Sequence, residues 1–233
     1  MAVSRTLALV LGAALAMSPA LAQKRVSADV QVKQVSQGKV TTITKSVCCE
    51  NNGRLVVHFK TPENYYVLTN TLGETKIYIP SRNEVITDET HSLSAKDELL
   101  YIFMTGRAED LGLAQYGYSL TDSSRDGKYL VKNFGTNISG SAPKIRIAYE
   151  NYLPICCEYY DKSDKVTSRT YLSSYASFPR LLLPCRVTNI SYTKNNDSTV
   201  VRTIYSNVKV DSDDPDFQFE IPADAKAPTL PKK

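Results

Sequence analysis

A mainly β fold, either one antiparallel sheet curled on itself or a sandwich, with a single helix, is what this sequence predicts. Three observations carry that reading. About a dozen short runs rich in β-branched and aromatic residues recur along the chain, and Pro, Asn or Gly bounds most of them. One segment alone has helical spacing between a capping Ser and a stop Gly. The connections are short and regular, so no domain boundary is expected.

The elements follow in order. Arg5, the apolar run Leu7 to Met17 and the small-x-small site Ala20-Leu21-Ala22 read as a secretory signal peptide over 1–22, cleaved after Ala22. That run is shorter than the roughly 20 apolar residues a membrane span needs, so an exported protein that is not integral to the membrane is expected. Removal of 22 residues leaves 211 and, with the loss of Arg5, takes the formal charge from +4 to +3. One domain over 23–225 with a flexible tail at 226–233 fits that length. The charge is weak and unclustered, which argues against a nucleic-acid partner.

Val26, Ala28, Val30 and Val32 alternate with polar residues, as do parts of Val40 to Val47, giving two opening strands. Gly53 to Pro80 is the most informative stretch: Gly53 to Pro62, Tyr65 to Leu68 and Ile77 to Pro80 are three strands of a meander, with a Leu72-Gly73-Glu74 turn before the third. Pro62 and Pro80 cannot donate a ladder hydrogen bond and mark strand ends. Asn83 to Thr87 adds a short strand. Ser94 to Asp97 then resembles a capping box ahead of Leu99, Leu100, Ile102 and Phe103, with Gly106 as the stop; Leu99, Leu100 and Phe103 share one face.

The strand rhythm resumes at Tyr116 to Leu120 and continues through Tyr129 to Lys132, Lys144 to Glu150, Pro154 to Tyr160, Thr167 to Leu172, Cys185 to Thr193 and Thr199 to Val208. Asp216 to Glu220 is the expected last strand. Arg125-Asp126-Gly127, Ser163-Asp164-Lys165 and Asn195-Asn196-Asp197 supply turns.

Five cysteines stand as Cys48-Cys49, Cys156-Cys157 and Cys185. In an exported chain all five are disulfide candidates. Thiolates beside Glu50 and Glu158 also invite a metal reading, but adjacent side chains on a strand point to opposite faces, so neither pair offers two converging ligands. The third reading is that they are small buried hydrophobes. Asp211 to Asp216 holds four Asp that could bind calcium, yet the EF-hand spacing and terminal Glu are missing, so a solvated acidic turn is expected instead. His58 and His91 are the two imidazoles; with no nucleophile elbow, zinc-protease motif or phosphate loop, no enzyme is expected. No metal and no cofactor are expected either. Fifteen Tyr and six Phe without a Trp suit strand pairs and the walls of a cavity.

The meander, the helix and the C-terminal Phe217-Gln-Phe219-Glu-Ile-Pro222-Ala-Asp-Ala, taken in that order, resemble the LolA-like family of periplasmic outer-membrane lipoprotein carriers. The resemblance implies a half-open β-barrel whose concave apolar face is covered by helix and shelters acyl chains. It implies a periplasmic monomer that works as a chaperone in lipoprotein transport, with acylated lipoprotein or lipid as cargo and membrane-bound donor and acceptor proteins as partners. The alternative on the same scaffold is a non-catalytic envelope interaction or stress-sensor module. The expected cavity lining is Leu55, Val57, Phe59, Tyr66, Leu68, Ile77, Ile79, Leu99, Leu100 and Phe103. The chain departs from the family in three places. Thr61 stands where carriers have a lid-holding Arg, Gln23 to Gln37 reads as strand where they have an amphipathic helix, and Pro179 to Tyr205 is longer.

Overall fold

The computed structural model describes residues 25–88, 98–192 and 197–227. Its first half is a six-strand meander: β1 (Arg25–Ser36), β2 (Lys39–Glu50), β3 (Leu55–Thr61), β4 (Tyr65–Thr69), β5 (Thr75–Ile79) and β6 (Glu84–Thr87). Helix α1 (Leu99–Met104) and two 3₁₀ turns, Arg107–Glu109 and Leu113–Tyr116, follow. A second meander completes the sheet: β7 (Ser119–Asp126), β8 (Tyr129–Gly135), β9 (Lys144–Glu150), β10 (Leu153–Tyr160), β11 (Val166–Phe178), β12 (Leu181–Tyr192) and β13 (Ser198–Val210). All thirteen form one antiparallel, curved and unclosed sheet in the order β6-β5-β4-β3-β2-β1-β13-β12-β11-β10-β9-β8-β7. Of the two architectures the sequence allows, the single curled sheet is the one adopted.

This order places the helix. The chain leaves the sheet at one edge, β6, and re-enters at the other, β7, so the connection must cross the whole sheet. It crosses the concave face. Leu100, Tyr101, Ile102 and Phe103 are all buried there, which is the behaviour of a helix apolar on nearly every side. They meet Val26, Val30, Val47, Leu55, Val57 and Val67 from the first meander and Leu172, Leu181, Leu183 and Tyr205 from the second. Gly106, at φ 72°, ends the helix in the left-handed region that favours glycine, and its N–H donates to the Phe103 carbonyl at 3.3 Å. The Ser94–Asp97 cap and His91 lie outside the described residues.

Local chemistry explains the turns. Gln37 and Gly38 both have positive φ, as a two-residue hairpin between right-twisted strands requires. The strand expected at Asp216–Glu220 is not formed. Asp214 accepts a hydrogen bond from the Asp216 N–H and Pro215 sits at the first position, so Pro215–Gln218 winds into a 3₁₀ turn instead. The strand expected at Tyr116 begins later, at Ser119, and runs on to Asp126 with every residue exposed. With neither face buried it has no apolar alternation to read.

At the opposite edge the Lys226 N–H donates to the Asn83 carbonyl at 2.9 Å and its carbonyl accepts from the Val85 N–H at 2.8 Å, covering part of the β6 edge. Among the described residues no helix is long and apolar enough to cross a membrane.

Candidate ligand-binding site

Register decides which residues face the helix. Val57 pairs with Val67, which pairs with Ile77; Phe59 pairs with Tyr65. Directly opposed residues share a face, so Leu55, Val57, Phe59, Tyr65, Val67, Ile77 and Ile79 form one row toward α1. Of the expected lining, Leu55, Val57, Phe59, Ile77, Leu99, Leu100 and Phe103 belong to the α1 core. Ile79 lines a cleft beside it.

Tyr66 and Leu68 do not. They oppose His58 and Val56, point to the convex face, and pack with Cys48, Val56, Phe217 and Phe219. Tyr66 is stacked between the His58 ring at 4.0 Å and the Phe219 ring at 3.8 Å. Strand alternation gives two rows without saying which is inside. Tyr65, which the sequence reading passed over, is the inward tyrosine, and its stacking on Phe59 at 4.3 Å follows from the tight β3–β4 hairpin.

The helix does not fill the concave face. On one side a cleft of about 600 Å³ is walled by Tyr65, Ile77 and Ile79, with Glu63, Asn64 and Arg82 at its polar margin. On the other, a cleft of about 520 Å³ lies between Phe103 and Ala108 on the crossover and Leu130, Tyr149, Leu153 and Leu182 on the second meander. Both volumes fall in the roughly 300–1,000 Å³ range of small-molecule sites. The second cleft has an ordered polar rim: Lys132 pairs with Glu109 at 2.6 Å, and the Tyr149 hydroxyl donates to the Glu109 carbonyl. Burial, then the Cys157 sulfur and Glu109, raise the Tyr149 hydroxyl well above the ordinary tyrosine range.

A polar latch holds the helix at its start. Glu98, the residue preceding Leu99, receives Lys45 of β2 at 3.3 Å and the Tyr205 hydroxyl of β13 at 3.1 Å. The Lys45 and Glu98 side chains are only 16% and 12% exposed, so the pair is shielded from solvent and worth more than a surface ion pair. Burial, then the Glu98 carboxylate, push the Tyr205 hydroxyl far up, which keeps it a donor. Lys45 also lies over the Phe59 ring at 5.5 Å. Thr61, at the family's lid-arginine position, instead shares a hydroxyl hydrogen bond with Thr44 at 2.7 Å.

The cysteines are all free thiols, so none of the disulfides considered for Cys48, Cys49, Cys156, Cys157 and Cys185 is present. The reason is placement. Cys49 packs in the α1 core and Cys157 in a second inner cluster with Ile145 and Ile147, at strands far apart in the sheet, while Cys48 faces outward. His58 lines neither cleft; its ring bonds the Asn64 side chain, at the margin of the first, at 2.9 Å.

Sequence comparison finds no matching family model and no matching curated protein. Solved structures do match. A DUF1329 family protein from Desulfovibrio piger superposes with a TM-score of 0.59 at 15% identity, over 85% of this chain and 90% of that one. A LolA superfamily protein from Nitrosomonas europaea gives 0.57 at 14%, over 85% and 91%. A domain from Vibrio parahaemolyticus named for outer membrane lipoprotein sorting gives 0.56 at 11%, over 82% and 86%. The chain has the LolA-like fold.

Proposed function

We propose that this protein is an exported, periplasmic carrier that shelters the acyl chains of lipoproteins or lipids, taking them into the clefts beside α1 without catalysing a reaction. The observation that supports it is the pair of apolar-walled clefts beside the core that the short, apolar helix α1 builds on the sheet. Each buried methylene contributes about 0.8 kcal/mol, so the tail of a lipid gains several kcal/mol by leaving water for such a wall. The helix makes uptake adjustable. Its apolar side chains occupy the middle of the trough, and a chain longer than either cleft must push it aside against the latch at Glu98. The likeness to a lipoprotein-sorting domain agrees with this reading at the level of fold.

The test is cargo. Protein isolated from the envelope is expected to carry acyl chains by native mass spectrometry, and delipidated protein to take up a fluorescent fatty acid that saturates. Ile77→Glu, which puts a charge in the wall of the first cleft, is expected to weaken uptake at least tenfold. Absence of both bound chains and uptake sinks the carrier reading and leaves the interaction module.

A further inference from the structure

The acidic turn Asp211–Asp216 is solvated at Asp211 and Asp213 but not throughout. Its second half crosses the convex face over β2, bringing a carboxylate oxygen of Asp214, one of Asp216 and the Cys48 sulfur within 4.8 Å of one another. Cys48 is 1% exposed. Ser46, two residues before it on the same face, donates its hydroxyl to Asp216 Oδ2 at 2.9 Å and so orients that carboxylate. A second observation comes from the neighbouring strand. Ser27 of β1 lies directly across from Cys48 in register, is 3% exposed, and its Oγ has no hydrogen-bond partner. Ser27 also lines, with Ser46, Asp214 and Lys209, a polar cleft of about 220 Å³. A buried hydroxyl without a partner costs on the order of 1–3 kcal/mol, so its survival beside three metal-binding side chains requires an explanation.

We propose that Cys48, Asp214 and Asp216 bind one divalent cation of the zinc class, with Ser27 Oγ completing the shell directly or through a water. A sulfur ligand disfavours calcium and magnesium, and two carboxylates disfavour a purely soft ion, which leaves the borderline metals. Bond lengths of ~2.3 Å to sulfur and ~2.0–2.2 Å to oxygen place tetrahedral ligands about 3.5 Å apart, so side-chain rotations suffice to close the set. On binding, the Cys48 thiol releases its proton to solvent and the thiolate takes the metal. The charges then balance: a thiolate and the Asp214, Asp216 and Asp29 carboxylates against a divalent ion, Lys209, which shares the cleft, and Lys60, which pairs with Asp29. An ordinary thiol titrates at ~8.5, so at neutral pH a metal displaces a proton from Cys48. Metal binding is therefore coupled to loss of one proton. The consequence is structural, since the ion would pin the C-terminal segment to the sheet on the face opposite α1.

The experiment is a calorimetric titration of the untagged, metal-stripped full chain with zinc alone, repeated in buffers of different ionisation heat, with cadmium as the spectroscopic probe. The expected result is one zinc per chain with one proton released, a thiolate-to-cadmium charge-transfer band, and a zinc-dependent rise in Tm. Cys48→Ala abolishes all of these. Asp214→Asn, which keeps a capping side chain at that position and so keeps the fold, is expected to weaken binding at least tenfold, and Ser46→Ala about tenfold through the loosened Asp216. Cys185→Ser leaves binding unchanged. No saturable zinc uptake, or uptake equally strong in Cys48→Ala and Asp214→Asn, overturns the assignment.

Discussion

The two faces of this sheet are each crossed by a stretch of chain, and the two crossings differ. On the concave face α1 lies across both meanders with apolar side chains nearly all round, held at its start by one shielded Lys–Glu–Tyr cluster and leaving a cleft on either side. On the convex face the segment around Pro215–Gln218 lies close over β2 and β3. It is anchored by Phe217, by Phe219 stacked on Tyr66, and by Arg54, whose guanidinium donates to the Phe217 and Phe219 carbonyls at 3.2 and 2.8 Å. Among the described residues the inner crossing is tied to the sheet through Glu98 and Glu109 and bordered by apolar clefts, whereas the outer is stapled through backbone, ring and charge. A segment of the first kind can give way to a ligand, and one of the second kind serves to hold.

Four changes would break or sharpen that contrast. Leu100→Ala, at a side chain with no exposure beneath the helix, is expected to cost about 3–4 kcal/mol in urea unfolding, because the central trough cannot collapse around the missing atoms. Phe217→Ala is expected to cost less, about 2–3 kcal/mol, since the outer segment can lift without opening the sheet; proteolysis should then begin in the C-terminal segment. A larger loss from Phe217→Ala than from Leu100→Ala would reverse the assignment of core and strap.

Glu98→Gln leaves Lys45 shielded without its carboxylate and is expected to cost about 1–2 kcal/mol, while raising uptake of an apolar dye as the helix loosens. Unchanged dye uptake would show that the latch does not govern the clefts. The smallest effect belongs to the outer face. Burial alone would raise the Glu158 carboxyl, but the hydrogen bonds from Tyr160 and Arg169 outweigh it and hold it below the ordinary range. Its stabilising contribution is thus complete above the unfolded value near 4.5 and is lost as pH falls through the lower folded value. Glu158→Gln should remove that part of the acid limb: the variant loses under about 1 kcal/mol at pH 7, and the difference vanishes at low pH, where Glu158 is itself protonated.

Much of the fold was legible because its signals are local. Alternation marked β1, β2 and the Gly53–Pro80 meander, and β9 ran over the expected Lys144 to Glu150 without change. What escaped was non-local or had no periodic signal. Tyr66 and Leu68 were placed inside because period two has no sign; only cross-strand register, Phe59 against Tyr65, tells inner row from outer. Thr69 and Thr75 blurred the same rows, being polar yet buried, their hydroxyls bonded to each other at 2.9 Å. The C-terminal Phe-x-Phe looked like a strand because two aromatics at period two are what a strand shows; the Asp-Pro before them decided otherwise. The approach of Asp214 and Asp216 to Cys48 spans most of the chain and has no local signature.

The middle of the sheet is where its two ends meet. Val26 of β1 faces Val210 of β13, and this seam joins the two meanders. Each meander is built from neighbours in sequence and can form early and on its own, but the seam has the longest loop to close and waits for the last strand. During synthesis the first meander therefore exists for a time with β1 as an open edge, paired to β2 on one side while the backbone groups that face β13 wait for their partners. The protein passes its most aggregation-prone moment just before it is finished, and the arrival of β13 ends it.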